Sequence, residues 1–354
     1  DGTRVLEIPG SDFASYRWGN TVDPITPGLV ERPYVARELV PYGTPMSADL
    51  LNSLDLRLQE RTLEPESLAP LARLLRAGDL VIRGDLQFER YNLARPRLVW
   101  RLVQRAPGLS EPIPLTGPTA NRPIARLPMH DEVRLLQEQG LDDSPAVAVV
   151  PVDDVPTIVD LKPAEGAVLL SGDGAGIVDA AAAELIDGTE LIRYSASLDP
   201  DEVAAELDRG ASLVVTDGNR KRGERWGSLR HTRGHTERVD ETQLAENLTD
   251  NRLPRFPDAG SDVQTVAIQR GGIQVDATSY GNPITFAADG RPALAVDGDL
   301  ETAWATAAFS DARGERIVLT LDEPLDLDHL DLFQLPEVRT TRAITRVRVD
   351  VGDG

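Results

Sequence analysis

With 354 residues the chain has room for two or three domains of ordinary size, and its formal net charge of −21 excludes general affinity for nucleic acid or anionic lipid, which would need a basic face. Zero cysteines exclude disulfides, thiolate chemistry and Cys-ligated zinc, without assigning a compartment. No apolar run reaches the ~18 residues of a membrane span, and DGTRVLEIPG lacks the pattern of a secretory signal, so the chain as given is expected to be soluble. A start at Asp1 and an end at Gly354, without an initiator Met, give it the look of an excised piece.

The first segment reads as mixed α/β. RVLEIP is a strand-type run, and ADLLNSLDLRLQE places Leu50, Leu51, Leu54 and Leu58 on one helical face. ESLAPLARLLRAG is a second helix with Gly78 as its stop, and DLVIRGDL is a second strand. Between the first strand and the first helix lies a long loop, Ser11 to Pro45, rich in Pro and Gly and carrying Tyr16, Trp18, Tyr34 and Tyr42. Ordered loops of this length usually serve function or an interface. Residues 104–145 hold Pro107, Pro112, Pro114, Pro118, Pro123 and Pro128 and are expected to be irregular.

A second α/β pattern follows. AVAVVPV, PTIVDL, AVLLSGD, ELIRYSA and SLVVTDG are strand-like, with GIVDAAAAELI and PDEVAAELDRG as helices between the last three, an alternation that predicts parallel pairing. Residues 218–262 turn polar, and DNRLPRFPDAGSD has the composition of a linker. Beyond it VQTVAIQ, IQVDATSY, RIVLTL, DHLDLFQL and ITRVRVDV are short strand-like runs with turn signals between them, the pattern of an all-β domain.

Several motifs carry candidate chemistry. Gly172, Gly174 and Gly176 lie between a strand and a helix, either as a tight turn or as a phosphate site of a soluble α/β enzyme. Their spacing departs from the dinucleotide fingerprint, and the next strand ends in Tyr194, Ser195 and Ala196 rather than an acid. The basic island Asn219 to His235 is either a solvated loop or an anion site, and Gly234 between His231 and His235 argues against a helical zinc pair. No nucleophile elbow occurs, and with 4 histidines Ser/His/Asp catalysis has no support. Asn247 opens a glycosylation-type tripeptide without other support.

ALAVDGDLETAW, after VDATSYG and before IVLTLDEPLDLDHLDLF, resembles the discoidin, or coagulation-factor type C, family of galactose-binding-like β-sandwiches. Asp297, Gly298 and Asp299 would make a sharp turn whose oxygens, with the Thr302 hydroxyl, could gather a hard cation, and Trp304 would pack beneath it. The resemblance implies a structural calcium on Asp297, Asp299 and Thr302 and a sugar surface, for which Tyr280 and Phe309 are the exposed aromatic candidates. A plain sandwich that braces its neighbours is the alternative.

YRWGNTVDPI and RPYVARELVP, with the α/β segments and the discoidin-like module after them, resemble the extracytoplasmic region of large actinobacterial membrane arabinofuranosyltransferases that add α-1,3-linked branches to cell-wall arabinan. Of 37 basic residues only Lys162 and Lys221 are lysines, a bias in keeping with a high-GC bacterium. The resemblance implies catalysis by a multi-span membrane portion using a polyprenyl-phosphate-linked arabinofuranose donor, so no residue here is assigned as catalytic. It also implies two partners, that membrane portion of the same protein and an arabinan-type acceptor glycan. The expected role is to hold acceptor or brace the membrane portion; the alternative is a stand-alone carbohydrate-binding or adhesion protein. The expected architecture is thus α/β plus all-β. A mixed α/β domain over 1–140 carries the aromatic loop, and an α/β domain over 145–250 follows, with or without a sheet shared with the first. A linker over 251–261 leads to a discoidin-like sandwich, complete or not, over 262–354.

Overall fold

The computed structural model describes residues 2–38, 43–90, 93–126, 135–216, 256–259, 265–281, 290–300, 302–308, 311–335 and 343–352, with a few isolated positions between them. The chain divides into two compact units, one of Asp1–Asn219, Glu224–Thr232 and Thr249–Thr265, the other of Arg220–Gly223, Arg233–Leu248 and Val266–Gly354.

In the first unit β1 (Arg4–Ile8) is followed by a hairpin of β2 (Ala14–Tyr16) and β3 (Gly19–Val22), a helical turn α1 (Thr26–Leu29) and β4 (Tyr34–Val35). Then come α2 (Pro45–Glu60), α3 (Leu68–Leu74), β5 (Ala77–Arg83), α4 (Pro96–Val103), β6 (Ile113–Pro114) and β7 (Val147–Pro151). The five strands of the main sheet run β4-β1-β5-β7-β6, with β1 parallel to β4 and β5, and β7 antiparallel to β5 and β6. The second α/β stretch therefore does share the first one's sheet, through β7. It also forms its own three-stranded sheet: β8 (Val168–Ser171), α5 (Gly174–Ala182), β9 (Ile192–Tyr194), α6 (Pro200–Asp208) and β10 (Ser212–Val215), in the order β10-β8-β9 and all parallel.

One apolar core unites these layers, reaching from Leu6 and Ile8 through Leu50, Leu54, Leu58, Leu80 and Ile82 to Val168, Leu170 and Ile177. The leucine face expected of α2 is the face buried there, with Leu51 at its margin. Thr44 caps α2 by accepting from the Ser47 amide, and Arg61 ends it in the left-handed region at φ 63°. A capping box of Asp199 and Glu202 starts α6.

Two expectations are corrected and one element is added. Gly78 does not stop a helix: α3 ends before Arg76, whose φ of 59° makes the turn, and β5 opens at Ala77. The register against β1 slips between Arg4↔Ala77 and Val5↔Asp79, so Gly78 is the extra residue of a bulge, and a Cβ there would lie 2.5 Å from Thr3 Oγ1. PTIVDL forms no strand; Thr157 Oγ1 donates to the Val159 carbonyl in a local turn, and Val159 and Leu161 stand 85% and 96% exposed. α4 was not marked by a long periodic run; Pro96 at its first turn and buried Val99 and Val103 define it.

In the second unit Lys221–Arg222 (β11) pairs antiparallel with His235–Thr236 (β12), and β13 (Ile273–Ala277) pairs antiparallel with β14 (Ile317–Leu321). Among the described residues DHLDLFQL and ITRVRVDV form no strands, and Leu325, Leu327, Leu332 and Phe333 are between 62% and 74% exposed. The described β architecture is thus pairs of strands, and a two-layer sandwich is not built from them.

Candidate functional site

The β2–β3 hairpin presents the clearest constellation. Its backbone is pinned to the stretch after β5: the Arg17 amide donates to the Asp85 carbonyl at 2.8 Å and the Gln87 amide to the Ser15 carbonyl at 2.8 Å. The Gln87 side chain donates to the Tyr16 carbonyl at 2.7 Å. Alternation along YRW then sends the Tyr16 ring inward, 1% exposed, and Arg17 to the other side. Trp18 turns over the Tyr16 ring, stacked at 4.5 Å with planes 5° apart, and is 59% exposed. The Arg83 guanidinium lies 4.7 Å from the Tyr16 centroid. Trp18 Nε1 and Arg83 Nη2 both donate to Asp85 Oδ2, so the ring, the indole and the guanidinium are gathered round one carboxylate.

Carboxylates lock this pile. Asp85 accepts Trp18 Nε1–H at 2.8 Å on Oδ2 and a fork of Arg83 donors at 2.9 and 3.0 Å. Arg83 Nη1 also reaches Glu7 Oε1 at 3.2 Å. On the far side Arg17 makes a two-pronged bond to Glu89, at 2.7 and 2.5 Å, while its Nε donates to Asn121 Oδ1 and its guanidinium lies 5.2 Å from the Phe88 centroid. Burial pushes the Glu7 carboxyl above its ordinary value, against the pull of Arg83 and the Thr26 hydroxyl, with Asp85 adding to the rise.

RPYVAR is a second set of anchors. Arg32 donates to Asp79 and Thr3 at 2.5 and 2.7 Å. Arg37, 6% exposed, is held between Asp12 and Asp55 and also donates to the Gly10 carbonyl at 3.3 Å. Burial opposes the Arg37 charge, but Asp55 and Asp12 outweigh it and hold the guanidinium protonated beyond its ordinary range. The two stretches that sequence reading singled out are therefore arginine clamps, with Trp18 as the part turned to solvent.

The glycine run resolves as packing. A Cβ at Gly174 would lie 2.5 Å from the Leu50 amide nitrogen, so α5 passes against the α2 backbone only with glycine there. The amides a phosphate would use are occupied: Gly174 N–H donates to Asp49 at 2.5 Å and Gly176 N–H to Asp173 at 3.2 Å. Burial, then Asp49 and Asp173, push the nearby Tyr194 hydroxyl up, so an anion would meet two carboxylates. A polar cleft of about 240 Å³ nearby, crossed by the Arg57–Asp179 ion pair, is smaller than the usual ligand pocket. Of the basic island, only Lys221, Arg222 and His235 fall within the described residues.

In the second unit Asp297, Asp299 and Thr302 are indeed brought together. Asp297 accepts the Asp299 amide at 3.0 Å and the Thr302 hydroxyl at 2.7 Å, and Thr302 also reaches the Asp299 carbonyl at 3.1 Å. These bonds, the backbone one first, hold the Asp297 carboxyl below its ordinary value. The donor set is thin for calcium: among the described residues no group of three or more acids or histidines is placed to hold a metal. Trp304 is half-buried and donates to the Ser279 carbonyl at 2.9 Å. Tyr280, expected as an exposed ring, is instead 7% exposed, and the Gly281 amide beside it donates to the Ala305 carbonyl at 3.2 Å. Phe309 lies outside the described residues.

Fold and site together define a two-unit protein, with an α/β body whose ion-pair clamps carry a fixed aromatic hairpin. Residues 1–250 match the family described as alpha-(1->3)-arabinofuranosyltransferase, N-terminal GT-C domain, and the chain belongs to that family. An alpha-(1->3)-arabinofuranosyltransferase of Mycolicibacterium smegmatis is 26% identical over 347 residues, covering 92% of this chain and 23% of the relative. One of Mycobacterium tuberculosis is 27% identical over 334 residues, covering 91% of this chain and 22% of the relative. The chain thus spans under a quarter of the length of these curated relatives. The cryo-EM structure of arabinofuranosyltransferase AftD from Mycobacteria shares the fold, with a TM-score of 0.59 at 20% identity over 91% of this chain and 24% of that one. A mutant form of it gives 0.60 at 21% identity, over 92% and 25%. Among the described residues no helix is long and apolar enough to cross a membrane.

Proposed function

We propose that this chain is a non-catalytic, extracytoplasmic part of a cell-wall arabinan-synthesising arabinofuranosyltransferase that holds the acceptor glycan beside a membrane catalytic portion. The observation that carries the reading is the family match over residues 1–250, with relatives named for arabinofuranosyl transfer. The site supports a holding role over a chemical one. Its acids serve as ion-pair partners: Glu89 grips Arg17, Asp85 grips Arg83, and Asp12 with Asp55 grips Arg37. A general base needs a carboxylate within reach of a substrate proton, and these carboxylates are spent on fixing arginines. The membrane portion would supply the base and the polyprenyl-phosphate-linked donor. Holding the polymer nearby raises the effective acceptor concentration there without further chemistry.

Affinity electrophoresis tests this directly. In a native gel cast with soluble arabinan the chain should be retarded relative to a gel without it, and incubation with donor and acceptor should yield no product. Transfer by the chain alone would overturn the non-catalytic reading; unchanged mobility at high arabinan would overturn the holding role and leave bracing.

A further inference from the structure

Trp18 has one face on the Tyr16 ring, 4.5 Å away and nearly coplanar, yet it is 59% exposed, so its outer face is the exposed one. An indole on a hairpin tip ordinarily turns freely, but this one is bonded at Nε1 to Asp85, and Asp85 is itself fixed by the Arg83 fork. The indole is therefore held both by the Tyr16 ring and by Asp85 before anything binds.

We infer that the outer face of Trp18 is a stacking platform for a sugar ring of a neutral glycan; this rests on the acceptor-holding reading above and names the residue that performs it. A sugar presents a face of C–H bonds that packs on an aromatic ring, and a ring already fixed loses little freedom on binding. With the indole N–H committed to Asp85, recognition there is by the ring face. A neutral polymer suits the charge as well: the net charge of −21 and pI of about 4.6 disfavour an anionic lipid surface as the occupant.

The test follows the Trp18 side-chain N–H signal of the ¹⁵N-labelled 354-residue chain, assigned by its loss in Trp18→Phe, during titration with linear arabinan oligosaccharides. The expected result is a saturable shift of that signal, a roughly tenfold weaker affinity in Trp18→Ala and partial retention in Trp18→Tyr, with every variant still unfolding cooperatively. Wild-type affinity in a folded Trp18→Ala overturns the platform while leaving the holding role standing. Absence of binding by the wild-type chain at millimolar sugar overturns both. Quenching of Trp18 by brominated-lipid vesicles, with sugars silent, would make the ring a membrane contact and equally overturn the platform.

Discussion

Arg37 shows how little freedom single residues have in this body. Its charge sits between Asp12 and Asp55, whose side chains are 0% and 6% exposed. Replacing it with Met would leave two carboxylates buried without a cation, and breaking such a set costs about 3–5 kcal/mol. Urea denaturation of Arg37→Met should show a fall of that size. Glu7 behaves in the opposite sense. Its folded-state pKa is raised above the ordinary 4.5, so the folded state holds its proton more tightly than the unfolded chain. Its contribution is favourable at acid pH and is lost as pH rises from about 4.5 through the higher folded value. Glu7→Gln should therefore gain stability relative to wild type as pH rises over that window, measured as the difference in melting temperature between pH 4 and pH 7. A constant difference would contradict this account of Glu7.

Among the elements, the contact of α2 and α5 is set by Gly174. Alanine there would push its Cβ into the Leu50 backbone, which cannot step aside as a flexible side chain would. A loss of about 1–3 kcal/mol is expected for Gly174→Ala, checked by thermal unfolding, with no change in any anion affinity. Elements also show what sequence pattern conveys and where it stops. The leucines of α2, the helices α5 and α6 and the parallel trio β8, β9 and β10 were legible, because local periodicity coincides with burial. PTIVDL carries the same strand-like residues, but no neighbouring strand takes it up, and pairing is what turns propensity into structure. The alternation at Leu325, Leu327, Leu330 and Leu332 is equally clear, yet these residues are exposed. At the candidate site the loop bearing Tyr16 and Trp18 was visible as an aromatic, Pro-rich stretch. Which ring is buried was not, since that depends on Asp85 and Arg83, far away in sequence.

For the whole molecule, the net charge of −21 disfavours a nucleic acid or an anionic membrane as partner. The Asp297 turn belongs to this scale too, because calcium bound there would stabilise the native state through linkage. Among the described residues no group of three or more acids or histidines is placed to hold a metal, so millimolar calcium should leave the melting temperature unchanged, and a rise of several degrees would restore a cation to that loop. The central claim is that the chain holds arabinan. Calorimetric titration of the 354-residue chain with linear arabinan oligosaccharides of increasing length tests it most directly. Saturable heat, with an affinity that grows with oligosaccharide length and survives moderate salt, is the predicted result. No heat at millimolar oligosaccharide from a chain that unfolds cooperatively would contradict it.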